Sequence, residues 1–325
     1  MKLVRRKFLR LAAAAIAAPA LSPVAHAQTY PVRPVHIVVG FAAGSGADVY
    51  ARLIGQWLSA KLGQNFIVEN RVGAGSNLAV ETVVNAPADG YTLLLASAAQ
   101  FTNATLYTNL SFNFIRDTVP VASVARGPFI IVVNPSFPAK TTAELIGYAK
   151  AHPGKITFGS SGTGTLSHVS GELFKSMAGI AMVHVPYRGE PPAITNLLAG
   201  QLDVFFSTAA GGSEFIRSGK LRALAVTSAQ RLAAFPDVPT VGETLPGYEA
   251  TPWAGICAPK GTPTAIVSKL NATINAGLAD PKLKAQFEKM GSPVAPMTPE
   301  QYGRAIAAQT EKWAKVIQEA GIELK

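Results

Sequence analysis

Short apolar, β-branched runs alternate with helical patterns along nearly the whole chain, and this alternation restricts it to sheets covered by helices, the α/β class. "VHIVVGF" (35–41) leads to a helix over 47–62, and "FIVEN" (66–70) leads through "RVGAGSN" to a helix ending near Asn85. "TLLLAS" (92–97) follows the turn pair Asp89-Gly90 and precedes a polar segment with Gln100 and Asn103. A second series starts at "GPFIIVVNPS" (127–136): helix 142–151, strand 155–160, helix 163–178, strand 181–185, helix 190–199 and strands 202–207 and 221–228. After the extended run "ATPWAGICAPK" (250–260) only helices follow, over 263–279, 281–290 and 299–320. Lacking strands of their own, these are expected to pack back on the first lobe.

The chain then crosses between two lobes twice, near 127–134 and 250–256, and the paired crossings are expected to act as a hinge. The expected division is 28–128 plus 254–325 for one α/β lobe and 129–253 for the other, with loops at the carboxyl ends of parallel strands facing a common cleft.

"MKLVRRKFLR" followed by "LAAAAIAAPALSPVAHA" reads as an export signal, residues 1–27, with a small-x-small cleavage site at Ala25-His26-Ala27 before Gln28. The run Arg5-Arg6-Lys7-Phe8-Leu9-Arg10 has the twin-arginine look, but ordinary leaders also carry paired arginines, so both export routes stay open. The leader holds Lys2, Arg5, Arg6, Lys7 and Arg10 and no acid, so the net charge of +10 falls to 10 − 5 = +5 for the mature chain. No mature segment clusters Lys and Arg with stacking aromatics, which argues against nucleic acid, while a field favouring small anions remains. No mature run reaches the ~18 apolar residues of a membrane span. Cys257, the single cysteine, lies in apolar "WAGICAP" and is expected to be a buried packing residue.

Glycines and hydroxyls cluster where strands run into helices. Gly44-Ser45-Gly46-Ala47-Asp48-Val49 puts Val where a dinucleotide fingerprint needs its third glycine, and it has no Gly-Lys-Ser/Thr of a P-loop. Asp48 would repel a pyrophosphate while suiting the helix start. What such loops do offer is free N–H groups at helix N-termini, an anion site without a charged side chain. "VGAGSNL" (72–78) repeats the arrangement with Gly73, Gly75, Ser76 and Asn77, and "SSGTGTLSH" (160–168) repeats it in the other lobe with Ser160, Gly162, Thr163 and Thr165. Any one of these reads as helix capping. The set, on both lobes, reads as ligand contact.

His168, one turn into the following helix, is a candidate for reaching the cleft. In "HVPYRGEPPAI" (184–194), Tyr187 is a candidate wall and Arg188 a fork for a carboxylate, with a helix start marked by Pro191-Pro192. Asp203 is a candidate for orienting loop groups or receiving an amine. No G-x-S-x-G elbow, H-E-x-x-H or C-x-x-C occurs, so neither hydrolytic nor metal chemistry is indicated, and no cofactor is expected. An exported hydrolase using Ser160 or His168 is the alternative from another class.

"YPVRPVHIVVGFAAGSGADVYARLIG", "VENRVGAGSNLA", "ADGYTLLLAS", "HVPYRGEPPAITNLLAGQLDVFF", "GKLRALAVTSAQRLAAFPDVPTVGETLPGYEAT" and "KWAKVIQEAGIELK" together resemble the Bug proteins, periplasmic solute-binding components of tripartite tricarboxylate transporters. The resemblance covers the whole mature chain in order. It implies a Venus-flytrap fold, a monomer closing on a small organic carboxylate, and membrane transporter subunits as partners, with presentation to a receptor kinase as the alternative. It also implies ligand contacts from Phe41 through Gly44, Ser45, Gly46 and Asp48, from Gly75, Ser76 and Asn77, from Ser97, from Ser160, Gly162, Thr163 and Thr165, and from Tyr187 and Arg188. The chain departs from the family pattern at Ser45 and Ser76, where glycine is usual, at Val72, where proline is usual, and at Arg188, where lysine is usual.

Overall fold

The computed structural model describes residues 30–107, 109–319 and 321–323, so the expected leader and its cleavage site lie outside the described residues. Arg33–Lys325 form one compact unit, and the short described stretch Tyr30–Val32 belongs to a separate one.

The chain runs β1 (Val35–Val39), α1 (Gly46–Leu62), β2 (Phe66–Asn70), α2 (Asn77–Val84), β3 (Thr92–Ala96), α3 (Ala99–Leu106), α4 (Phe114–Asp117) and β4 (Thr118–Arg126). It continues with β5 (Phe129–Val133), α5 (Thr142–Ala151), β6 (Thr157–Ser160), α6 (Leu166–Ala178), β7 (Val183–Pro186), α7 (Glu190–Leu198), β8 (Val204–Thr208), α8 (Ala209–Arg217) and β9 (Arg222–Val226). β10 (Trp253–Pro259) and helices α9 (Thr264–Ala279), α10 (Pro281–Lys289) and α11 (Pro299–Glu319) close it.

Two five-stranded mixed sheets result, ordered β2-β1-β3-β10-β4 and β7-β6-β8-β5-β9. In each, three parallel strands continue into an antiparallel pair, and the strand inserted between its neighbours is the one the chain enters on crossing over: β5 between β8 and β9, β10 between β3 and β4. The fold is thus two-lobed α/β. The crossings run side by side: the Gly127 N–H donates to Pro252 O at 3.1 Å, and the Thr227 hydroxyl donates to Ala250 O at 2.6 Å.

Helix starts follow capping chemistry. Ser45 accepts from the Asp48 N–H, Thr141 from Glu144 and Thr208 from Gly211, each filling one of the donors a helix leaves open at its first turn. α1 ends at Gly63, whose φ of 73° is the left-handed cap that a side chain resists.

α9 and α11 pack on β4 of the first sheet, and α11 also on α3. Trp313, Tyr302, Phe101 and Phe287 fill that lobe's core, while Phe158, Phe174, Phe205 and Phe206 fill the other. Cys257 is fully buried on β10, and burial pushes its thiol up to about 12. The native protein should therefore not react with iodoacetamide at pH 8 and should take up one equivalent once unfolded. Rapid labelling of the folded chain would contradict this burial.

Candidate functional site

The loops at the carboxyl ends of β1, β3, β6, β7 and β8 meet between the sheets. Three hydrogen bonds cross from lobe to lobe there: Gly46 N–H to Glu190 Oε2 (3.4 Å), Thr102 Oγ1 to Gly164 O (2.8 Å) and Tyr107 OH to Thr163 O (3.3 Å). Two chambers lie along this seam, an inner one beside the crossing segments and an outer one at the mouth.

The inner chamber leaves about 70 Å³ for the centres of water-sized molecules. Helix N-termini form much of its wall: Ser45, Gly46 and Ala47 of α1, Ala98 and Ala99 of α3, Thr165, Leu166 and Ser167 of α6, Glu190 at the start of α7, and Thr208, which caps α8. Among the described residues, the N–H groups of Ala47, Ala98 and Leu166 have no protein acceptor, as expected in a first helical turn. Phe41, Tyr50, Phe129 and Trp253 supply aromatic walls. No Lys, Arg or His lines this chamber. The helix N-termini are therefore the groups in its wall that favour an anion.

The outer chamber, about 680 Å³, is lined by Gly73, Gly75, Ser76, Tyr107, Gly162, Thr163, Tyr187 and the exposed Arg188, among others; Phe41 and Ser161 border both chambers. α3 fixes the loop on one side. Its Gln100 donates to Ser76 Oγ at 3.0 Å, and its Asn103 donates to Gly75 O at 2.8 Å and Asn77 Oδ1 at 2.7 Å. That grip holds Ser76 at φ 81°, a left-handed conformation unusual for a serine.

The residues singled out from the sequence divide four ways. Phe41, Ser45, Gly46, Ser97 and Thr165 line the inner chamber. Gly75, Ser76, Gly162, Thr163, Tyr187 and Arg188 line the outer.

Gly44, Asp48, Asn77, Ser160 and His168 line neither, and instead hold the loops from behind. Asp48 accepts from the Gly44 N–H (2.9 Å), Asn70 (2.9 Å) and Arg52 (2.9 Å); burial raises its pKa, but these donors outweigh burial and leave it lowered. Its carboxylate is fully engaged in the loop. Ser160 is fully buried and shares a 2.7 Å hydrogen bond with His184 Nε2. His168 is turned inward because its ring stacks on His184, with centroids 3.9 Å apart, and accepts from the Gly164 N–H at 3.3 Å. Burial lowers His168 to about 4 and His184 to about 3, so both are neutral near pH 7.

Asp203 lies elsewhere. It precedes β8, at the end of the sheet opposite the cleft, and its carboxylate accepts from Thr157 N–H and Oγ1, both at 2.8 Å. The expectation that it serves the cleft is corrected by strand polarity: the carboxyl ends face the seam, and Asp203 sits at an amino end.

Sequence reasoning missed Glu190, Thr208, Tyr50, Phe129 and Trp253. The only signal for Glu190 was its place just before Pro191-Pro192, which reads as a helix start. Among the described residues, no group of three or more His, Cys, Asp or Glu could hold a metal ion.

Residues 50–322 match the family model described as the tripartite tricarboxylate transporter family receptor. Over 318 residues the chain is 37% identical to Protein BugT of Bordetella pertussis (strain Tohama I), covering 97% of this chain and 96% of that one. The structure of an R. palustris protein with adipate is 35% identical with a TM-score of 0.89, covering 90% of this chain and 99% of the other. That of the periplasmic binding protein BugD is 35% identical with a TM-score of 0.87, covering 91% and 100%. A family match over most of the chain, the two-lobed fold and the seam of helix N-termini agree: the chain belongs to the tripartite tricarboxylate transporter receptors, the family of the Bug proteins.

Proposed function

We propose that this protein is a periplasmic solute-binding receptor that closes two lobes on a small organic carboxylate and presents the closed form to the membrane subunits of a tripartite tricarboxylate transporter. The observation that carries this reading is the wall of the inner chamber, which includes Ala47, Ala98 and Leu166, from both lobes and with free amides, and no basic side chain. Such donors suit a carboxylate, whose charge is favoured at helix N-termini. The adipate in the R. palustris relative supports the ligand class.

The lobes correspond to 28–128 plus 254–325 and to 129–253, and bending at the crossing segments beside Gly127 and Pro252 opens the cleft. Arg188, exposed at the mouth, draws anions toward it. The chain works as a monomer and turns over no substrate; Ser160, the candidate nucleophile, is sealed behind its loop.

A thermal-shift series with adipate, malate, acidic amino acids and aromatic acids tests this. A ligand at about one hundred times its Kd should add roughly 2.7 kcal/mol of stability. If no acid of any class raised the melting temperature, the receptor reading would fail.

A further inference from the structure

Thr102 is fully buried on α3, yet its hydroxyl reaches out of its own lobe. Thr102 Oγ1 donates to Gly164 O of the second lobe at 2.8 Å, with Ala99 O of its own helix next nearest at 3.1 Å. Beside it, Tyr107 OH donates to Thr163 O at 3.3 Å. The two surfaces fit closely: a Cβ at Gly164 would stand 2.9 Å from Tyr107 Cε2, and one at Gly75 would stand 3.0 Å from Thr163 O. Each side is also fixed within its own lobe. α3 is held by the bonds of Gln100 and Asn103 to Ser76, Gly75 and Asn77. In the facing loop, Thr165 Oγ1 donates to Gly162 O (2.6 Å), the Gly164 N–H donates to His168 Nδ1 (3.3 Å), and Ser160 shares its 2.7 Å bond with His184. Bonds between groups preorganised in this way lose little to ordering.

This contact lies apart from the ligand. Neither Thr102 nor Gly164 lines the inner or the outer chamber, and Tyr107 lines only the outer one, at the mouth. The contact also differs between the two states of a receptor that opens and closes. In the closed form Gly164 is buried, and Thr102 supplies its carbonyl with a donor. In an open form water supplies that donor, and the Thr102 hydroxyl keeps Ala99 O. Removing the hydroxyl therefore leaves an unsatisfied buried acceptor in the closed form alone.

We propose that Thr102 is a positioning residue that latches the closed lobes, and that it sets how long any ligand stays bound without influencing which ligand is chosen. This rests on the receptor reading and concerns its closing step. The test is Thr102→Val, which keeps the size and branching of the side chain and removes only the hydroxyl. Wild type and variant are titrated by calorimetry and followed by stopped flow with adipate, malate, glutamate and benzoate. A latch acts after the ligand has entered, so dissociation should quicken about tenfold for every acid that the wild type binds, while association stays within about twofold. Thr102→Ser keeps the hydroxyl and should bind like the wild type. Should Thr102→Val not fold, Thr102→Ala, with a better helix former, carries the same test. Unchanged dissociation, a loss confined to association, or a factor that differs more than about threefold between two acids overturns the proposal and spares the receptor reading. So does a Thr102→Ser variant as impaired as Thr102→Val. If no acid binds the wild type, the receptor reading fails and the latch fails with it.

Discussion

Replacing Gly46 with valine should abolish ligand capture while leaving the protein folded. Gly46 opens α1 in one lobe, and a Cβ there would stand 2.6 Å from Thr208 Oγ1 and 3.1 Å from its Cβ, in the other. Thr208 cannot easily swing aside, because its hydroxyl is held by Glu190 and caps Gly211. Gly46 is the first residue of the helix, and the three atoms nearest an added Cβ all belong to Thr208 and Ala210 of the other lobe. The clash is relieved by keeping the lobes apart. Affinity for any ligand of the wild type should fall at least about a hundredfold, ~2.7 kcal/mol, as read by calorimetry. Scattering should show the variant remaining extended in saturating ligand, with its unliganded melting temperature within a few degrees of wild type. Unchanged affinity would mean that capture does not need α1 and α8 to meet.

The largest loss of stability is expected from Phe158→Ala. Phe158 is fully buried on β6; it stacks with His184 (5.0 Å between centroids), meets Phe206 edge-on (6.3 Å), and fits against Gly171, where a Cβ would approach its ring to 2.3 Å. Truncation leaves a cavity between β6 and α6 that a strand and a helix cannot readily collapse into. Denaturant unfolding should show a loss of about 3–5 kcal/mol. Removing the ring also removes the floor under the His168–His184 stack, and with it the partner that fixes Ser160. Ligand affinity should therefore drop as well, although Phe158 lines neither chamber. A cost below about 1 kcal/mol would show that the site repacks.

The first three β–α units and the β6-to-β8 stretch were legible because each is an apolar run followed by a glycine-rich junction and an amphipathic segment. β4 was not, since Pro120 interrupts "TVPVASVAR"; the strand tolerates it because β4 is an edge, where one side of the backbone needs no partner. α3 read as a polar segment because Gln100, Thr102 and Asn103 are buried for their hydrogen bonds, not for hydrophobicity. α8 was hidden by Gly211-Gly212, which reads as a loop. Both glycines are close-approach positions: a Cβ would stand 2.4 Å from the Glu190 carboxylate at Gly211 and 2.6 Å from Ser207 Oγ at Gly212. The candidate site was legible as loops and illegible as chambers. Sequence shows which residues flank a strand end, but not which side of the loop each turns to the ligand, and so Asp48 and His168 looked equivalent to Ser45 and Thr165.

Peptide dipoles, unlike ammonium and guanidinium groups, carry no counterion cloud. Exposed charges lose their reach beyond ~8 Å at about 0.15 M salt, whereas buried groups are screened much less. Ala47, Ala98 and Leu166 belong to the wall of the inner chamber between the lobes, while Arg188 stands in solvent. Salt in the surrounding medium should therefore slow the arrival of ligand far more than it hastens its escape, so a cell moving between fresh and brackish water would keep what its receptor has already caught.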